Sequence, residues 1–320
     1  MKEIPWISWL KRAAESALVL LLALPAIEPL LSGRVPWAAD SLLHFYRLAE
    51  LHRALRSGLV YPRWAPDMGY GFGFPLFNYY APLSYYLSEP FRWLGLGTQA
   101  ELLASLACAV LVACVGAYLW GRDLAGRVGG VAAAVAFTYA PYLLHNVYGR
   151  GALAEVWALA LTPFAFRSLG HLVARGRRKD WALTTVSYAA LILTHNITAM
   201  IVTPLLVGYG IFLWFFAGQE KKRVVPLTSS LFLGLGLAAF FWVPALFELD
   251  YVQVQQLFSP ANLDFHNNFL TLQELLSGPR SVDPNLINRP ALRTLGWPQL
   301  ALALWATVSV LRSKERKLQG

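Results

Sequence analysis

Charge is what this sequence lacks first. Only 14% of its 320 residues are Asp, Glu, Lys or Arg, against about 25% in an ordinary soluble chain. Hydrophobic residues make up 57%. That balance excludes a disordered chain and an ordinary cytosolic enzyme. Cysteine is also scarce, which excludes a disulfide scaffold. The two present, Cys108 and Cys114, share one apolar run. On a helix they point roughly 120° apart and cannot pair, so they read as small buried apolar residues. There is no Cys/His spacing of the metal-binding kind, no internal repeat and no low-complexity tract. The little charge present is lopsided, at a formal net of +9. In a soluble domain that surplus suggests nucleic acid. In a chain this apolar it points to basic cytoplasmic loops instead.

What is abundant is long apolar runs. A helix needs about 20 mostly apolar residues to cross a bilayer. Runs at 12–31, 101–120, 128–145, 152–173, 224–247 and 296–311 fit, and 181–217 holds two more if split near His195-Asn196-Ile197. The expected fold is an all-α polytopic membrane protein with about eight transmembrane helices. It forms a single integral membrane domain over 1–320: a first span (1–31), an outer loop with juxtamembrane helices (32–100), spans two to seven (101–247), a second long outer loop (248–295), and a last span with a basic tail (296–320). The segment 74–94 is long enough to cross, but carries Asn78, Glu89, Arg92, prolines and four tyrosines. Laid in the interface, it leaves every basic cluster, and all seven lysines, on one side. The positive-inside rule therefore favours an interfacial segment, with both termini cytoplasmic in a plasma membrane. The first run lacks a small-residue cleavage site followed by a soluble domain, and reads as a retained anchor.

The middles of the spans carry no charge. Glu28, Glu101, Glu155 and Glu248 fall at outer ends and Arg167 toward an inner end. This argues against a pump, an ion channel or a proton-coupled transporter, and places chemistry or binding at the outer surface. Asp40 opens an amphipathic helix that runs to Arg56, with Leu48, Leu51 and Leu55 as its apolar stripe. Asp40, His44 and Arg47 share one face. Asp40 reads as an N-cap or as a general base; His44 and Arg47 read as a solvated polar face or as its partners. Next come Tyr61-Pro62-Arg63-Trp64 and a run in which glycines alternate with aromatics, Gly69-Tyr70-Gly71-Phe72-Gly73-Phe74-Pro75, which implies a tight loop. Residues 61–93 hold 12 aromatics, either an interfacial belt or a stacking surface for a sugar ring. Arg150 reads as a headgroup anchor or, beside a helix N-terminus, as a phosphate ligand. Glu155 complements the helix dipole. His195-Asn196 is a polar turn. Asp250, Asp264, His266, Asn267, Asn268 and Glu274 make the last outer loop a lid or acceptor surface.

The order of these features resembles a known enzyme class. The features are the early Asp40, a Pro- and Tyr-rich interfacial helix Tyr79-Tyr80-Ala81-Pro82-Leu83-Ser84-Tyr85-Tyr86, the basic turn Trp120-Gly121-Arg122-Asp123-Leu124-Ala125-Gly126-Arg127, Ala140-Pro141, and Arg150 with Glu155. Together, over about residues 13–175, they resemble the membrane glycosyltransferases of the GT-C fold, in particular the dolichyl-phosphate-mannose mannosyltransferases and the aminoarabinose transferases. Over most of its length the chain is similar to the bacterial and archaeal membrane family called "6-pyruvoyl-tetrahydropterin synthase related". Asp40-x-x-x-His44-x-x-Arg47, Tyr61-Pro62-Arg63-Trp64, the glycine-aromatic run, Arg150-Gly151-Ala152 and Thr194-His195-Asn196 carry that similarity. The label is no evidence for pterin chemistry, since the sequence offers neither a zinc triad nor a pterin pocket.

The GT-C resemblance implies transfer of a sugar from a polyprenyl-phosphate donor to an acceptor at the outer face. Asp40 would be the catalytic base. Arg150 first, and Arg47 second, would stabilise the leaving phosphate. His44 or His195 would orient phosphate or acceptor, and Glu155 would position Arg150 or touch the sugar. Arg63, Tyr79, Tyr80, Asn196 and His266 complete the candidate substrate-binding set. The expected partners are a lipid-linked sugar and membrane lipid, with no nucleic acid. A divalent metal is compatible, though no carboxylate cluster demands one. Two departures stand out. Asp40 is followed by Ser41 where the enzymes often pair two acids. The relatives also continue into a larger C-terminal region, which leaves an acceptor-binding domain unaccounted for. The competing readings are a non-catalytic protein that binds or assembles lipid-linked saccharides, and a flippase, against which the empty midplane counts.

Overall fold

The computed structural model describes residues 5–33, 40–216, 224–253, 264–278 and 294–318. Among these, regular structure is helical apart from one isolated bridge between Ala65 and Phe74. The basic residues Lys2 and Lys221-Lys222-Arg223 lie outside the described residues.

Helix α1 (Pro5–Leu31) contains Pro25 and Pro29 near its end. Proline has no amide hydrogen to donate, so the helix ladder is interrupted there. The carbonyls left without an i+4 donor are those of Leu21 and Pro25; on the neighbouring carbonyls Tyr139 Oη donates to Leu22 at 2.8 Å and Tyr148 Oη to Ala26 at 2.5 Å. Helix α2 (Ser41–Arg56) follows the sequence expectation. Leu48 and Leu51 are fully buried in the main core, and Leu55 packs against it. The segment 74–94 forms no continuous helix. It is three short turns, α3 (Leu76–Tyr79), α4 (Leu83–Tyr86) and α5 (Glu89–Trp93).

Helix α6 (Thr98–Thr138) merges two expected runs, 101–120 and most of 128–145, but it is not straight. At Gly126 the backbone takes φ 71°, ψ −168°, a conformation closed to residues with a Cβ. The chain folds back there. Cys114, Tyr118 and Ala134 join one apolar cluster with Val19 and Ala23, and a Cβ on Gly130 would sit 2.9 Å from the Tyr118 ring. α7 (Pro141–Leu144) and a π-helical turn (His145–Arg150) lead into α8 (Leu153–Arg175). α8 packs on α6, then on α9 (Arg178–Thr194) and α10 (Asn196–Phe216). The chain breaks between these two at His195, which is extended (φ −155°, ψ 106°). α11 (Val224–Leu237), α12 (Ala239–Phe247), the short α13 (Leu272–Leu275) and α14 (Trp297–Leu318) complete the order.

Among the described residues three helices are long and apolar enough to cross a membrane: Thr98–Thr138, Leu153–Arg175 and Asn196–Phe215. The pair α11 and α12, bent by 65°, makes a fourth if it is one span. Large apolar side chains on α10 and α11 face outward, among them Met200, Leu205, Phe212, Phe215, Val225 and Phe232. An outward face of large apolar side chains is what a helix turns toward lipid or a partner. Polar groups gather at the two ends of the bundle. At one end Asp123 accepts from Arg167 (2.6 Å) and pairs with His171 (2.7 Å), while Glu15 pairs with Arg127 (2.6 Å). The other end holds Asp40, Arg150 and His195.

Candidate functional site

Three chain breaks build the site: the start of α2, the turn between the π-helical segment and α8, and the break between α9 and α10. Asp40 immediately precedes α2, but its side chain makes no capping bond. Its amide donates to the Arg150 carbonyl at 2.8 Å, and its carboxylate accepts from Arg150 Nη2 at 3.2 Å. The N-cap reading of the Asp40 side chain is thus replaced by a two-point clasp on Arg150. Arg150 Nη1 in turn donates to Glu155 Oε2 at 2.6 Å and to Asn146 Oδ1 at 2.8 Å. Buried Glu155 also accepts from Tyr142 Oη. Burial alone would make the Arg150 guanidinium easier to deprotonate, but Glu155 and Asp40 outweigh it and hold the charge.

A second layer sits beside the first. The solvated-face reading of His44 does not hold: His44 is 1% exposed, with Nδ1 2.8 Å from Tyr85 Oη. Burial first, then the charges of Arg47, His195 and Arg150, lower its pKa from 6.5 to about 3. His44 is neutral at every physiological pH. Arg47 lays its guanidinium over the Tyr80 ring, 3.9 Å from the centroid, with Nη1 3.4 Å from Tyr85 Oη. Burial raises the pKa of Tyr80, and that of Tyr85 further, so both hydroxyls keep their protons. Tyr80 also feels the charge of Asp40, which joins the two layers. His195 bonds Thr198 Oγ1 through Nδ1 at 2.8 Å. Burial lowers its pKa, and the charges of Glu155, Arg150 and Asp40 reach it.

The remaining candidates lie apart from this cluster. Arg63 donates from Nε to Asn78 Oδ1 at 2.7 Å and grips Glu248 through Nη2 at 2.5 Å; Tyr79 Oη donates to the Glu248 carbonyl. These contacts tie the loop before α3 to the end of α12. Arg63 also holds the exposed Glu248 carboxyl below the usual carboxylate range. His266 pairs with Asp264 through Nδ1 at 2.7 Å, in a 3-10 turn on the exposed loop. Asn196 is exposed at the start of α10. Tyr142, Asn146 and Tyr85 belong to the cluster without having been expected at the site. Tyr142 reaches Glu155 from 13 residues away, a contact without a local spacing signal. Only Asn146, four residues before Arg150, carried a readable one.

Residues 77–273 match the profile of the 6-pyruvoyl-tetrahydropterin synthase related domain, a membrane protein family. The chain belongs to this family. The matched stretch includes Tyr80, Arg150, Glu155 and His195, and begins after Asp40, His44, Arg47 and Arg63. Similar proteins include one named "Uncharacterized protein" from Lactococcus lactis subsp. cremoris (strain MG1363). It is 22% identical over 264 residues, which cover 79% of this chain and 42% of that protein. The chain therefore spans less than half the length of this relative. The membrane character of the family agrees with the apolar helices. Its pterin label finds no support at this site. Among the described residues no three of His, Cys, Asp and Glu gather as a metal ion would need. Asp40 and Glu155, the carboxylates a divalent ion would use, both engage Arg150, so such an ion does not fit the cluster as it stands.

Proposed function

We propose that this family member is a membrane glycosyltransferase of GT-C type. It would move a sugar from a polyprenyl-phosphate donor to an acceptor hydroxyl at the outer face of the plasma membrane. The observation that carries the reading is the convergence of Asp40, Arg150, Glu155 and His195 at one end of the bundle. Asp40 stays 32% exposed there, so an acceptor can reach it. The acceptor oxygen attacks the anomeric carbon while Asp40 takes its proton. The bond from that carbon to the phosphate oxygen breaks, and its electron pair leaves with the phosphate. Direct displacement inverts the anomeric centre. A guanidinium group beside the site opposes the charge that grows on the phosphate.

The same reading counts eight crossings, with both termini and all lysines in the cytoplasm. The fold-back at Gly126, the break at His195 and the segregation of polar groups to two ends support that count. An apolar cavity of about 440 Å³ between α9, α10 and α11, lined by residues such as Val207, Trp214, Leu231 and Phe232, lies toward the other ends of these helices from Asp40 and takes no part in this reading. A second reading is a non-catalytic protein that binds lipid-linked saccharides. The engagement of the Asp40 carboxylate by Arg150 favours it. A panel of radiolabelled polyprenyl-phosphate sugars separates the two. Transfer moves label from the lipid into a new product in membranes containing the chain. Label that binds yet stays on the lipid with every sugar and acceptor fraction contradicts transfer.

A further inference from the structure

Two arginines face this site, and their surroundings differ. Arg150 is saturated: Nη1 serves Glu155 and Asn146, Nη2 serves Asp40, and two carboxylates share its one charge. A third anion placed there would meet net negative charge. Arg47 is the opposite case. Among the described residues no carboxylate pairs with it, and its polar neighbours are the hydroxyls of Tyr85 and Tyr80. Its Nε is buried and has no hydrogen-bond partner. A buried, charged donor left unpaired is costly. Stacking on Tyr80 occupies the flat face of the guanidinium and Nη1 reaches Tyr85 Oη at 3.4 Å; on the edge, where a phosphate binds through two parallel bonds, Nε is left without a partner. The imidazole of His44 beside it is neutral and adds no competing charge.

We propose that Arg47, and not Arg150, is the anion receptor of this site, and that it seats one phosphate group, as a monoester or diester, on its Nε edge beside Tyr80 and Tyr85. Arg150 is then a positioning residue, anchored by Glu155 and only loosely orienting Asp40. This assignment rests on the reading above for its donor, and it reverses the order of the two arginines expected from the sequence.

The test is equilibrium binding of farnesyl phosphate and of inorganic phosphate to the purified full chain in detergent. Arg47→Gln weakens farnesyl phosphate by at least about tenfold, the size of a lost charged hydrogen-bonding group. Arg47→Lys keeps the charge but loses the fork and falls between. Arg150→Gln lowers the melting temperature and changes affinity by less than about threefold, far below a lost charged hydrogen bond. Competition by inorganic phosphate shows that the anion suffices. Arg47-dependent binding without such competition shows that the lipid supplies part of the affinity, and the seat stands in both cases. Should Arg47→Gln fail to fold, Arg47→Lys carries the comparison. Loss of binding in Arg150→Gln with retention in the Arg47 variants overturns the proposal, as does wild-type chain that binds neither probe. Binding that depends on Arg47 in a chain that transfers no sugar refutes the transferase reading alone. Transfer that is indifferent to Arg47 refutes the seat alone.

Discussion

The clasp around Arg150 makes a quantitative prediction about which carboxylate holds it. Arg150 is 39% exposed; its partner Glu155 is 8% exposed at 2.6 Å, and Asp40 is 32% exposed at 3.2 Å. Breaking a fully buried pair costs about 3–5 kcal/mol, and exposed pairs are worth about 0.2–1 kcal/mol. The half-exposed guanidinium discounts the Glu155 pair to about 2 kcal/mol, because solvent screens one side of it. The Asp40 pair, longer and wet on both sides, is worth about 0.5 kcal/mol. Double-mutant cycles read these couplings directly. The variants are Arg150→Met with Glu155→Gln, and Arg150→Met with Asp40→Asn, unfolded reversibly in mixed micelles of dodecylmaltoside and dodecyl sulfate. The expected order is a strong Arg150–Glu155 coupling and a weak Arg150–Asp40 coupling. A larger coupling to Asp40 refutes the reasoning, because it makes Asp40 the structural anchor and removes its freedom to act on an acceptor.

Three further outcomes follow from the geometry. His44 binds a proton near pH 6.5 when unfolded and near pH 3 when folded. Between those values the unfolded chain holds more protons, so stability is full above pH 6.5 and falls toward pH 3, by roughly 5 kcal/mol at most. Melting temperature against pH should flatten over that window in His44→Gln, and parallel curves for the two proteins contradict the prediction. Gly130→Val drives a side chain into Tyr118 at the α6 fold-back and should cost about 1–3 kcal/mol by overpacking, seen as a lower melting temperature; an unchanged one contradicts the close approach. Glu248→Gln removes the charge that Arg63 and Asn78 hold, so limited proteolysis of the loop before α3 should quicken, and an unaltered digestion rate argues against the strap.

Local pattern made part of this architecture legible. The stripe of Leu48, Leu51 and Leu55 marked the buried face of α2. The charged and polar residues of 74–94 set it apart from the apolar runs, but an interfacial helix was expected across 79–86, where the prolines divide the segment into short turns; His195-Asn196 marked a break between two apolar runs. Arg150 and Glu155 lie five residues apart, and their pairing was readable as a positioning contact. The burial of His44 was hidden, because a polar face at helical spacing is the same in sequence whether it meets water or Tyr85. Arg63 and Tyr79 were expected at the site through the motif Tyr61-Pro62-Arg63-Trp64 and the segment 79–86. Their contact with Glu248, 185 and 169 residues away, lies beyond any periodicity. The order of the two arginines was hidden for the same reason: which one remains unpaired depends on where Asp40 and Glu155 arrive in space.

The central claim is that Asp40 takes the acceptor's proton. A single-turnover measurement of sugar transfer by Asp40→Asn, with donor binding measured in the same preparation, tests it most directly. The account predicts a folded protein that binds donor within about threefold of wild type and loses turnover by at least about 10²-fold, the lower range for a general base. Transfer at the wild-type rate by a donor-bound Asp40→Asn protein would contradict it.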